Sequence, residues 1–271
     1  MGRGARRPEG KCRICGIVGP LSWEHVPPEA AYNKHRTVRA ARDQMLKSEL
    51  WDGARGHVQQ RGSGGYTLCE RCNNNTGTWY GGEYAARAQQ GLERLLRIPA
   101  HETDPFYVPF RGRPLRFLKQ VLAMFSSVNG EKFASFHPEL VKFVLDCSAT
   151  GGAPKYKVDL VLVRGGFARS AGVFDAVDTA PGAIEVASEV AHYPFALRLL
   201  FSDGRSVRRG PMEHFAQFGP DEVREVWLYT VAGHVTTRYR GDYRSREQVS
   251  REAAESHAEA RQANVNRPNR R

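Results

Sequence analysis

Two CxxC pairs, with an adjacent carboxylate and imidazole between them, are the residues of this 271-residue chain best suited to chemistry. Cys12-Arg13-Ile14-Cys15 and Cys69-Glu70-Arg71-Cys72 stand 53 residues apart. Two sulfurs at CxxC spacing on a tight turn can reach one zinc ion, and two such turns complete a tetrahedral four-thiolate site. That site has no open position, so its Zn²⁺ would be structural. Gly16 and Asn73 directly follow the pairs and suit the turns, while Arg13 and Arg71 offset thiolate charge. The fifth cysteine, Cys147, reads as core on an apolar helix face.

Glu24 and His25 lie in SWEHVPP, residues 22–28. Neighbours on a strand point to opposite sides, but near a turn both can still approach one metal-bound phosphate. A carboxylate suits Mg²⁺ or Mn²⁺, and a neutral imidazole can take a proton from water. Asn73, Asn74 and Asn75 follow the second cysteine pair. Read locally, they are helix-capping residues. Read with Glu24 and His25, one of their amide oxygens is a second ligand to the same cation.

The order CRICG…EHVPP…LCERCNNNTG resembles the HNH endonuclease superfamily in its two-CxxC branch, over roughly residues 12–80. The resemblance implies a treble-clef ββα-metal unit. It implies His25 as general base, Glu24 as acidic ligand where Asp is usual, and Asn73 as the helix ligand, with Asn74 or Asn75 as alternatives. It also implies a middle Asn just upstream of the second cysteine pair, where residues 64–67 here read Gly-Gly-Tyr-Thr. The stretch between EHVPP and that pair is long and reads as an insertion.

The elements that must position these residues divide the chain into a basic arm at 1–11, an HNH-like unit at 12–98 with an inserted loop at 29–65, a helix-plus-sheet unit at 99–243, and a polar helix and tail at 244–271. Five glycines in Asp52–Gly65 predict a mobile loop, and Arg55, Gln60 and Arg61 on it are candidates for contacting substrate phosphates. Apolar periodicity predicts helices over 83–97, 114–128 and 138–147, with Pro114 and Pro138 in their first turns. Residues 100–113 read as a connector. Alternating or β-branched runs predict strands over 156–164, 167–175, 183–191, 194–202 and 224–232. The expected fold is therefore α+β: a zinc-stabilised treble-clef unit, then helices and a mainly antiparallel sheet.

Forty Lys+Arg against twenty-nine Asp+Glu leave a net charge of +11, of which +7 falls within residues 1–100. Such an excess beside the cysteine pairs points to a polyanion, with DNA ahead of RNA. No apolar run is long enough for a membrane span, and MGRGARRPEGKC lacks the apolar stretch of a secretory signal. The expectation is a cytoplasmic, metal-dependent endonuclease. The alternative is a non-catalytic zinc module that binds nucleic acid or protein and has kept the HNH frame.

Overall fold

The computed structural model describes residues 7–40, 56–102, 104–151, 156–166, 168–177, 184–201, 211–235, 241–245 and 247–255. Arg55, Arg3 and Arg6 lie outside them. The chain is α+β. Its N-terminal part holds β1 (Glu9–Lys11), β2 (Val18–His25), β3 (Thr37–Ala40), β4 (Gly56–Gln59) and β5 (Gly64–Cys69). Strands β1, β2 and β5 form a three-stranded antiparallel sheet, and β3 pairs with β4 as a separate ribbon. Helix α1 (Glu70–Thr76) starts directly on β5 and runs through a π-helical turn at Gly77–Gly81 into α2 (Gly82–Leu95).

Part of the expected loop is therefore ordered strand, and its glycines serve close approach. A Cβ on Gly64 would lie 2.1 Å from the Glu24 carbonyl oxygen across the β2–β5 pairing. A Cβ on Gly62 would lie 2.1 Å from the Asn33 carbonyl oxygen, and Gly62 has φ +76°, a conformation few side chains tolerate.

Beyond α2 come β6 (Phe106–Gly112), α3 (Pro114–Val128), α4 (Phe133–Phe136) and α5 (Pro138–Leu145). Proline at the first position of α3 and α5 gives up an N–H that a helix start leaves unpaired anyway. Helix α3 is buried along almost its whole length and packs against α2, α5, β8 (Arg169–Val177) and β9 (Ile184–His192). Its buried Lys119 donates to the Asp146 carbonyl at 2.6 Å and lies over the Phe143 ring. Cys147, expected in the core, is exposed, because α5 ends at Leu145 and leaves it in a turn.

The larger sheet also contains β7 (Lys157–Gly166), β10 (Phe195–Leu200) and β12 (Ala232–Val235), in the order β12-β7-β10-β9-β8. All its pairings are antiparallel except β12 with β7. The expected connector at 100–113 contains β6, which pairs with β11 (Arg224–Thr230) as a two-stranded ribbon. Proline at 105 and 109 hid that strand, since proline cannot donate to a ladder. Residues 247–255 are helical. One apolar cluster joins Cys12, Ile14 and Leu68 through Tyr84 and Phe117 to Leu160 and Leu197. The small cysteine-bearing sheet and the large sheet thus share a core, with α3 between them.

Candidate metal centre and His25 site

The first cysteine pair sits on the turn after β1. There Gly16 takes φ +75° and its N–H bonds back to the Cys12 carbonyl at 2.9 Å. The second pair spans the end of β5 and the first turn of α1. The backbone N–H of Arg13 bonds the Thr67 carbonyl at 2.9 Å, which joins the two turns. All four sulfurs lie within 4.8 Å of one another, and Cys15 and Cys69 are 3.8 Å apart. A zinc–sulfur bond near 2.3 Å sets tetrahedral sulfur–sulfur edges of about 3.8 Å. The cluster therefore fits one metal ion such as zinc, and it is the one such group of His, Cys, Asp and Glu among the described residues. The Cys72 thiol donates to Cys12 and, with backbone N–H groups around it, brings the Cys12 thiol down to about 4; Cys72 is pushed up in return, first by that bond and then by burial.

Glu24 and His25 are the last two residues of β2, paired with Gly65 and Gly64. Glu24 is 4% exposed and faces inward. Its Oε2 accepts from the Ser127 hydroxyl at the C-terminal end of α3 and from the Thr67 hydroxyl at 3.2 Å. The Arg13 guanidinium donates to the Ser127 carbonyl, which closes the link between the cysteine turn and α3. Burial pushes the Glu24 carboxyl up to about 8; the two hydroxyl donors and the nearby Arg13 charge pull the other way. His25 is half-buried on the opposite face. Its ring stands edge-on to Trp23 at 6.3 Å, and Trp23 stands edge-on to Tyr66 at 5.4 Å.

Asn73, in the first turn of α1, donates its amide to Ser22 Oγ at 3.0 Å and to the Trp23 carbonyl at 2.8 Å. The helix is thereby tied to β2 one peptide unit before Glu24. Asn74 is exposed and Asn75 half-buried, and neither has a side-chain partner among the described residues. Gln60 and Arg61 are exposed on the turn between β4 and β5. Arg7 pairs with Glu70 at 2.7 Å on the surface, where such a pair adds little stability.

Sequence reasoning missed Asn33. It is 1% exposed, donates to the Pro27 carbonyl at 2.6 Å and the Ser63 carbonyl at 2.8 Å, and accepts from the Ser63 N–H at 2.6 Å. It thus fixes the backbone on both sides of the β2–β5 pairing just beyond His25. The only sequence signal was an Asn in the segment after the two prolines, and loop asparagines are too common to single one out.

A hard divalent cation needs oxygen donors free of other duties. Glu24 Oε1 and Asn73 Oδ1 each lack a hydrogen-bond partner among the described residues, since the bonds of these side chains run through Oε2 and Nδ2. In chemical type, the pair fits such an ion.

The chain matches no protein-family model, no curated protein and no solved structure. Among the described residues, no helix is long and apolar enough to cross a membrane.

Proposed function

We propose that residues 7–95 form a zinc-stabilised, treble-clef HNH unit that hydrolyses phosphodiester bonds in DNA, with His25 as general base. The observation that carries this reading is the meeting of three elements at the end of β2. Glu24 and His25 are adjacent there, and the Asn73 amide reaches the carbonyl of the residue before them. Cys12, Cys15, Cys69 and Cys72 would hold the Zn²⁺, which supplies folding energy and fixes the β2–β5–α1 frame. Glu24 and Asn73, with Asn74 next to it, would hold Mg²⁺ or Mn²⁺. When bound, such an ion offsets charge on the phosphate and leaving-group oxygens.

The chain's own contribution is positioning and one proton transfer. The Asn33 bonds and the Gly64 pairing hold the backbone around His25, and the half-exposed imidazole takes a proton from the attacking water. Arg61 and Gln60, with Arg55 on the same segment, contact phosphate without reading sequence. Four clustered thiols suit a reducing compartment, so the cytoplasm is the proposed place of action.

One observation favours a second reading. The Glu24 carboxyl is buried, bonded to α3, and pushed up to about 8. An uncharged structural carboxyl is what a non-catalytic binding module would keep. A plasmid-nicking assay with Mg²⁺ or Mn²⁺, comparing the full chain with His25→Ala, separates the two readings.

A further inference from the structure

The outer face of the β6–β11 ribbon carries three exposed aromatic side chains. Tyr107 is 66% exposed, Trp227 58% and Tyr229 38%. Alternation along the paired strands explains why they share a face. Val108, Phe110, Val226 and Leu228 point inward and are buried, so the residues between them point out. Tyr107 lies directly opposite Tyr229, with ring centroids 5.0 Å apart, and Trp227 lies opposite Pro109. Trp227 and Tyr229 are two positions apart on one strand, about 7 Å along it. Exposed rings of this size cost free energy in water, and no described element covers them.

The ribbon is rigid. The Gln90 side chain bonds both the N–H and the carbonyl of Arg111, each at 2.8 Å, which occupies the free edge of β6 at that point. That side-chain cap works against strand addition there. Arg111 continues the outer row beyond Pro109 and has no ion pair among the described residues; Glu225, opposite it, makes none with it. The face therefore presents a row of rings ending in an uncommitted cation, on a chain of net charge +11. Rings that stack with any base, beside positive charge that follows a backbone, are the means by which proteins hold unpaired strands.

We propose that this face is a stacking platform for the bases of single-stranded DNA. The inference rests on the proposed function for its choice of DNA, and it sharpens the substrate to a DNA with an unpaired segment. Duplex DNA hides its base faces and would gain nothing from the rings.

The test is fluorescence anisotropy with a labelled oligothymidylate of about twenty nucleotides, a length spanning one to several binding sites of this kind. The protein is the full chain carrying His25→Ala, so binding is read without cleavage. Trp227→Ala should weaken binding about tenfold at fixed salt, with the salt dependence unchanged, because a stack and not a phosphate contact is lost. Trp227→Phe should stay within about threefold, since a ring remains to stack. Affinity for a fully paired hairpin should not change. Because Trp227 points away from the core, these variants should keep the parent's melting temperature. Equal oligothymidylate binding by Trp227→Ala would overturn the proposal. So would a loss of self-association on sedimentation, which would make the face a contact between copies, or tighter binding of oligouridylate than of oligothymidylate. A chain that binds as expected but never nicks DNA supports this face and removes only the nuclease reading.

Discussion

The hydroxyl of Ser127, at the C-terminal end of the central helix α3, donates to the buried carboxyl of Glu24 on β2. This bond ties the strand that ends in His25 to the core of the molecule. Thr67 joins the same group from β5, at 3.1 Å from Ser127 Oγ and 3.2 Å from Glu24 Oε2. The strand is therefore held from inside by polar contacts, and His25 on its other face is positioned by what happens at Glu24.

Stability should depend on pH through Glu24. Its folded-state value is raised from 4.5 to about 8. The fold thus favours the protonated form, and that contribution is complete below the unfolded value. It is lost as pH rises from about 4.5 through 8, with a slope near 1 kcal/mol per pH unit. Thermal melts should show wild type losing stability across this window relative to Glu24→Gln, which stays neutral. Parallel wild-type and Glu24→Gln curves between pH 5 and 8 would rule out a protonated Glu24.

The cysteine cluster should carry about one equivalent of zinc per chain. Cys69→Ser should abolish that binding and unfold the β1–β2–β5 sheet and α1, because the small sheet's geometry depends on both turns meeting. Elemental analysis of freshly purified protein and amide exchange in residues 7–95 check this. Less than half an equivalent of metal in the wild type contradicts it.

Asn33→Ala should cost about 2–3 kcal/mol, since it removes a buried side chain that satisfies three backbone groups around Pro27 and Ser63. If those bonds orient His25, nicking should fall along with stability while zinc content holds. Denaturant melts and metal analysis on the same preparation separate the effects. A variant as stable as wild type would show that water replaces the amide without cost.

Gly64→Ala should be more damaging than an average glycine replacement in a strand. Its Cβ would meet the Glu24 carbonyl at 2.1 Å, with the Glu24 and His25 backbone close behind. The β2–β5 pairing must then open at His25. Loss of slow amide exchange in β5 is the expected readout, and unchanged exchange would show that the strand can shift without penalty.

Much of this was legible in the sequence, for physical reasons that differ by element. Helix α3 was clear because its apolar residues recur around the whole turn and Pro114 marks its start. The four cysteines were clear because CxxC spacing is imposed by the metal's own geometry. Strand β6 was not, since Pro109 breaks the local strand signal and only its partner β11, more than a hundred residues away, makes it a strand. The glycines near residue 64 suggested mobility because sequence shows the missing side chain and not the carbonyl that takes its space. Asn33 and Ser127 were silent for a related reason: each matters through a partner far off in the chain.

The most direct measurement is conversion of supercoiled plasmid to nicked circle in Mg²⁺ or Mn²⁺, comparing wild type with His25→Ala at equal zinc content. If His25 is the general base, wild type nicks the plasmid, and His25→Ala loses roughly a hundredfold or more in rate while its DNA affinity stays within about twofold. Equal nicking by the two proteins, or none by a zinc-loaded wild type that binds DNA, contradicts the nuclease account.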